Sequence, residues 1–294
     1  MKGSERLSKL AITSALGLVA VVVSVPLILT FTNSLMSEEE IGRNYGLIGQ
    51  MTDATLGALG SARFVNLKLL PDWLSFGQYR EVFIMNSVFL RMFWNSVGMV
   101  VPIIAGQTLV ASLAAYAFAK LRFRGRDKLF FIYLLTMLMP FQVTLVPNYL
   151  VANALGLMNT EAAIILPGIF GAFGVFMLRQ FMAHIPSAYT EAAKIDGAGE
   201  WTVYQRIVLP LAKPGLAALA VLLFVDYWNM IEQPLLFLED SFKQPLSLYL
   251  ARIVAEERGV GFAASVLYMT PMLLLFFYAE SYFIQGVQLS GIKG

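Results

Sequence analysis

Cysteine is absent from the 294 residues, which excludes disulfides and thiolate metal sites. A single histidine, His184, leaves no zinc cluster and no histidine-based triad. Charge is scarce as well: charged residues make up 14% of the chain, and a formal net charge of +2 is too small to suggest a nucleic-acid partner. No Gly-x-x-x-x-Gly-Lys-Ser/Thr loop occurs, so the chain lacks that cradle for nucleotide phosphates. No paired-carboxylate, metal or nucleophile constellation is visible outside scattered singletons, and an enzyme is not expected. No cofactor or metal is expected in this chain. In excess are apolar residues, at 58% hydrophobic with a mean hydropathy of +0.69, the composition of an integral membrane protein.

Taking roughly 20 apolar residues as enough to cross a bilayer, the sequence predicts six spans: Leu10–Phe31, Trp94–Ala119, Leu129–Tyr149, Ala162–Phe181, Pro214–Ile231 and Phe262–Ile284. The first follows Lys2, Arg6 and Lys9 as a signal peptide would. Its apolar run is longer than a signal core of roughly 7–15 residues and shows no small-x-small cleavage site, so it reads as an uncleaved helix. Orientation follows the basic residues. Lys2, Arg6 and Lys9 precede the first span; Lys120, Arg122, Arg124, Arg126 and Lys128 join the second to the third; Lys194, Arg206 and Lys213 join the fourth to the fifth. Residues 148–161 carry no basic residue, and the fifth-to-sixth connection leans acidic, with Glu232, Glu239, Asp240, Glu256 and Glu257 against Lys243, Arg252 and Arg258. Both termini are therefore expected in the cytoplasm.

The chain divides into an N-terminal transmembrane helix (1–32), an extracytoplasmic segment (33–90) and a core (91–294), with no internal repeat or low-complexity tract. The segment is marked by Gly42, Gly46, Gly49, Gly57, Gly60 and Gly77 and holds Pro71, Trp73, Phe76 and Tyr79, apolar anchors for a small subdomain against the membrane. Within the spans, Pro26, Pro102, Pro140, Pro147, Pro167 and Pro271 each remove a backbone donor and either kink a helix or shape packing. Gly168, Gly171 and Gly174 permit close helix contact in the fourth span.

Ionisable groups in a span are functional candidates because hydrocarbon is costly for them. Asp226 and Glu232 flank Trp228 and Asn229 in the fifth span, and Glu280 sits among aromatics in the sixth. Aromatic faces beside hydrogen-bonding groups suit a polyhydroxylated ligand; an interfacial aromatic belt with a polar helix contact would look the same. On a continuous helix Asp226, Asn229 and Gln233 share one face, the candidate pore lining together with Trp228.

The polar stretch Glu191–Pro210, EAAKIDGAGEWTVYQRIVLP, lies between the fourth and fifth spans. Pro186 stops the preceding span and Ser187 can cap a short helix, with Glu191 near its positive end and Gly197 free for the left-handed turn that closes it. Small Ala192, Ala193 and Ala198 would let another protein approach, and Tyr189, Ile195, Trp201 and Tyr204 offer apolar area for it. An amphipathic connector at the membrane surface would share this composition.

The spacing decides between these readings. Glu191-Ala192-Ala193, Gly197 after three residues, then Ile207, Leu209 and Pro210 after nine more, with Asp196 and Ala198 flanking the glycine, resembles the EAA motif of bacterial ABC-importer permeases. From about Arg91 onward the chain resembles the type-1 ABC transmembrane domain, and the whole is similar to the second-subunit permeases of the maltose kind. Tyr116–Gly125, Trp228-Asn229 with Pro234-Leu235, and the Gly291-Ile292-Lys293-Gly294 ending carry that narrower likeness, whereas Asp226 and Glu232-Gln233 depart from the commonest family choices. The resemblance implies a multi-pass protein of the bacterial plasma membrane that forms half of a sugar or oligosaccharide pathway. It further implies a second permease, two cytoplasmic ATPase subunits that hold ATP and Mg, and an extracytoplasmic solute-binding protein. The coupling loop would be residues 186–212, with Glu191, Ala192, Ala193, Asp196, Gly197, Ala198, Ile207, Leu209 and Pro210 meeting the ATPase. A permease for a non-sugar solute would fit the same motif. An ion-coupled secondary transporter could use Asp226, Glu232 or Glu280 as coupling carboxylates, but would need no such loop.

Overall fold

A computed structural model describes residues 2–45, 67–85, 87–253 and 258–291. Gly46, Gly49, Gly57, Gly60, Glu256, Glu257 and the ending Ile292-Lys293-Gly294 lie outside the described residues. Those described are helical or irregular, with no strand among them. In chain order the helices are α1 (Lys2–Asn33), α2 (Glu38–Tyr45), α3 (Gly77–Arg80), α4 (Ser87–Lys120), α5 (Arg126–Met137), α6 (Phe141–Ala154), α7 (Ala162–Ile169), α8 (Ala172–His184), α9 (Ser187–Ile195), α10 (Glu200–Val203), α11 (Leu209–Leu211), α12 (Lys213–Trp228), α13 (Glu232–Phe237), α14 (Leu246–Arg252) and α15 (Arg258–Gly291). A π turn, Glu81–Met85, follows α3, and another, Tyr204–Val208, precedes α11.

Among the described residues, four stretches are long and apolar enough to cross a membrane: Lys9–Asn33, Ser87–Lys120, Ala162–His184 and Gly259–Glu280. Two bent pairs bring the number to 6 if each counts as one span. The third span is thus not the straight helix expected over Leu129–Tyr149: α5 and α6 meet at 98°. Pro140 stands at that break, where it donates no hydrogen bond and its ring bars Met139 from helical geometry. Pro26, Pro102, Pro147 and Pro271 lie inside continuous helices. The fifth span also differs, because α12 ends at Trp228 rather than Ile231. Asn229 turns its side-chain amide back to the Val225 carbonyl at 2.7 Å, satisfying an end-of-helix acceptor.

The chain forms two compact units, Met1–Leu90 with Tyr249–Thr270, and Arg91–Leu248 with Pro271–Gly294. In the first, Met36, Ile41 and Tyr45 pack with Phe262 beyond the end of α1. Asn33 donates to the Tyr45 hydroxyl at 2.6 Å, and Ser34 shares a 2.8 Å bond with the Tyr79 hydroxyl. Buried Glu40 accepts from Lys68 at 3.0 Å and from the Asp72 backbone N–H at 2.9 Å.

Two apolar clusters lie among the described residues of the second unit. Met99 and Ile103 of α4 meet Ala152, Ala163, Ile164, Phe237 and Leu238 in one. In the other, Ala111, Ala115 and Tyr116 of α4 meet Val175, Leu178 and Met182 of α8, with Leu219 and Leu223 of α12 and Val203, Tyr204 and Val208 of the connecting loop. Close approach of α7 and α8 to α4 depends on glycine: a Cβ at Gly168 would stand 2.9 Å from Ile103, one at Gly174 3.0 Å from Ala111, and one at Gly171 would collide with Gln107.

Candidate functional site

Helix α9 begins directly after Pro186, which occupies the N-cap position, so Ser187 is the first helical residue and caps nothing. Glu191 is correspondingly the fifth residue of α9, outside the first turn where the helix dipole favours a carboxylate. The helix closes as expected of the motif. Gly197 has φ +83, its N–H donates to the Lys194 carbonyl at 3.1 Å, and the Ala198 N–H donates to the Ala193 carbonyl at 2.9 Å. Those two crossed bonds are the Schellman closure, which needs a residue at ease in left-handed backbone.

The loop has an inner and an outer side. Thr190, Val203, Tyr204 and Val208 are buried, and Ala193, Ala198 and Leu209 pack partly buried against the same cluster. Ala193, Ala198 and Tyr204 therefore serve internal packing rather than the docking surface expected of them. The Tyr204 hydroxyl pairs with Ser112 at 2.8 Å and its ring lies 5.3 Å from that of Tyr116. Glu191, Ala192, Asp196, Gly197 and Pro210 are exposed, and Ile207 is half-buried. Around them Tyr189 and Trp201 are exposed, and Ile195 reaches 86% exposure, far more than a loop packed for its own stability would leave bare.

Polar contacts fasten this loop to the end of α4. Lys120 Nζ donates to the Ile185 carbonyl at 2.5 Å, and the Tyr116 hydroxyl donates to Glu200 Oε2 at 2.7 Å. The other oxygen of Glu200 pairs with Lys194 Nζ at 2.5 Å. Lys194, and after it Tyr116, hold the Glu200 carboxyl below its ordinary 4.5. In the sequence Tyr116 counts only toward the family likeness, and Lys120 toward that likeness and the basic connection; their spacing of four on one helix face is the available signal. A cleft of about 970 Å³ opens between Lys120–Phe123 and α9, with Lys120, Arg122, Arg126 and Lys194 outnumbering Glu191 and Glu200 along it.

The second set of candidates is split. Trp228 is 1% exposed, stacked on Phe224 at 5.0 Å and 17° and edge-on to Phe93 at 5.8 Å. Gln233 is also buried, donating to the Ala163 carbonyl at 3.3 Å from α13, a separate helix. Asp226 and Asn229 are exposed. The single face expected for Asp226, Asn229 and Gln233 does not exist, because the helix that would carry it stops at Trp228. In its place the broken third span meets α13: Gln142, two residues beyond Pro140, donates to both oxygens of Glu232 at 3.3 Å, and both side chains are exposed. The span Ala162–His184 also holds a charge that the hydropathy reading passed over, Arg179, whose guanidinium lies 3.9 Å above the Phe130 ring.

Residues 92–288 match the family described as binding-protein-dependent transport system inner membrane component. Among curated proteins, the arabinooligosaccharides transport system permease protein AraQ of Halalkalibacterium halodurans is 33% identical over 227 residues, 76% of this chain and 81% of its own length. The polygalacturonan/rhamnogalacturonan transport system permease protein YtcP of Bacillus subtilis is 31% identical over 263 residues, 82% of this chain and 88% of its own. A chain from the crystal structure of a bacterial ABC transporter involved in the import of the acidic polysaccharide alginate superposes with a TM-score of 0.78 at 24% identity, covering 95% of this chain and 98% of that one.

Proposed function

We propose, from the premise that this chain belongs to the family of binding-protein-dependent transport system inner membrane components, that it forms half of the translocation pathway of an ATP-driven importer of a sugar or oligosaccharide. The helices, six spans with each bent pair counted once, take the type-1 ABC importer permease fold in the inner membrane. The observation that carries the reading is α9 with its left-handed closure at Gly197: a short helix fixed from within by Tyr204 and from the side by Tyr116 and Lys120, with Ile195, Tyr189 and Trp201 left bare. An ATPase subunit docks on that bare side. Closure of two such subunits on ATP moves α9, and with it α8 and α12, between which it is strung. A second permease supplies the other half of the pathway, and a binding protein delivers the solute from outside.

For the pathway, the exposed polar groups Gln142, Asp226, Asn229 and Glu232 replace Trp228 and Gln233 as the residues that meet solute, because irregular backbone at membrane depth is tolerated where it lines a cavity. Sugar is the class favoured by relatives named for arabinooligosaccharides and for lactose, the latter LacG of Rhizobium radiobacter, 34% identical over 199 residues. A phosphorylated polyol is the second reading, since UgpE of Brucella abortus, named for sn-glycerol-3-phosphate, is 29% identical over 232 residues. The test is uptake into proteoliposomes holding both permeases, the ATPase and the binding protein. ATP-dependent accumulation of a neutral sugar supports the reading. Accumulation without the ATPase, driven by an ion gradient, overturns it.

A further inference from the structure

Apart from α1, residues 67–76 carry the largest exposed apolar strip among the described residues of the first unit. Trp73 is 83% exposed, Leu70 73% and Leu74 70%, with Leu67 and Phe76 close behind. The charges among them are turned the other way and spoken for: Lys68 pairs with both Glu40 and Asp72, while the Asp72 N–H and a Glu40 oxygen add a further bond. Asp72 holds the Lys68 ammonium above its ordinary value, and Lys68 holds the Asp72 carboxyl below its own, as the charges of a retained pair do. One edge of the segment is therefore polar and closed, and the other is apolar and open.

The height of this strip is fixed by hydrogen bonds. The Ser75 N–H donates to the Leu35 carbonyl at 2.8 Å, and Tyr79 meets Ser34 at 2.8 Å. Residues 34 and 35 directly follow the end of α1, a span whose side chains are bare to its surroundings over its whole apolar window. Leu74, next to Ser75, is thereby held within two residues of the end of the apolar helix α1. Residues 67–76 are irregular, so their backbone groups require water and bar the segment from the hydrocarbon itself. Indole and leucine side chains on a hydrated backbone match the headgroup–acyl boundary, where an apolar body and a wet edge are both satisfied.

We propose that Leu67, Leu70, Trp73, Leu74 and Phe76 rest in the headgroup–acyl boundary of the membrane leaflet at the Asn33 end of α1, so that lipid is the occupant of this face. The segment then acts as an anchor that holds α1 at a set depth while the transport core moves.

A chain without cysteine allows a direct test. Leu70→Cys, Leu74→Cys and, as an aqueous reference, Glu39→Cys are spin-labelled in full-length protein reconstituted in liposomes, and collision with oxygen is compared with collision with a water-soluble nickel chelate. Lipid contact raises the oxygen-to-nickel ratio at residues 70 and 74 well above that at 39. A ratio equal to the reference means water at this face, leaving it to a soluble partner, and overturns the proposal. Shielding from both probes means that protein covers the strip and overturns it equally. Neither outcome touches the importer assignment, which is read from uptake.

Discussion

Two helix interruptions in the second unit invite comparison: the loop from Pro186 to Ala212, and the paired breaks at Leu138–Pro140 and Asn229–Ile231. Both interrupt long apolar helices, but they are closed by different means. At the loop the backbone itself carries the shape, through a left-handed glycine and two crossed carbonyl bonds, and buried aromatics fasten it below. At the breaks, side chains do the work: Asn229 caps α12, Gln142 bridges to Glu232, and Trp228 and Gln233 lock the ends into the interior. A backbone-defined shape is insensitive to what surrounds it, which suits a surface that binds the same way in every cycle. A side-chain-defined shape is easily altered, which suits a surface that must differ between solutes.

The largest effect expected from breaking this contrast is at Trp228. Removing a fully buried indole by Trp228→Ala costs ~3–5 kcal/mol, so the variant loses folded protein in a detergent melt before any transport is measured. Uptake changed at full thermal stability would instead return Trp228 to the pathway. By contrast Glu232→Gln leaves the melt unaltered and shifts uptake rate or solute preference, because its carboxylate is exposed.

Next in size is Gly197. No atom lies within 4 Å of a Cβ there, so the only penalty is the backbone φ of +83, about 1–3 kcal/mol for an ordinary side chain. Gly197→Val is expected to insert in the membrane yet lose ATPase pull-down and uptake, whereas Gly197→Asn, which tolerates left-handed backbone, retains both. Equal loss in the two variants would show that surface, not backbone shape, governs docking.

Tyr116→Phe removes the donor to Glu200 at the cost of about 1 kcal/mol, discounted because the carboxylate is half exposed. A double-mutant cycle with Glu200→Gln reads the coupling between them. Since the Glu200 carboxyl is depressed below 4.5, its contribution is fully present above that pH and is lost only as pH falls through the lower folded value. A pH profile of ATPase binding that changes near neutrality would contradict that sign. Smallest of all, Glu191→Ala changes stability by less than ~0.5 kcal/mol, as its side chain is exposed and lies outside the first turn of α9; its effect is confined to ATPase affinity.

These contrasts also explain what could be read in advance. The loop was legible because its shape is written in spacing: glycine four residues after Ala193 and Ile-x-Leu-Pro at fixed distance are requirements of local backbone, which sequence states directly. The pathway was not. A period of 3.6 placed Asp226, Asn229 and Gln233 on one face only by assuming that the helix continued, whereas it stops at Trp228 with the Asn229 side chain turned back on the Val225 carbonyl. Six apolar runs were legible from length and hydropathy, but the 98° bend at Pro140 was not, since proline in a span is compatible with anything from a slight kink to a break. Which alanines face inward was also beyond reach, because Ala192 and Ala193 differ only in the neighbours that the fold brings to them.

Lys120 deserves a last consequence. It is the final residue of α4, and its ammonium rests on the carbonyl of Ile185, the residue that ends α8. Both helices point the negative ends of their macrodipoles at this spot, and one cation answers both, at about 0.3–1 kcal/mol for each. Drawing α4 and α8 apart would leave one of those ends uncompensated. The two helices are thereby tied electrically as a single strut, so the push proposed at α9 would reach the membrane through a pair of helices rather than one.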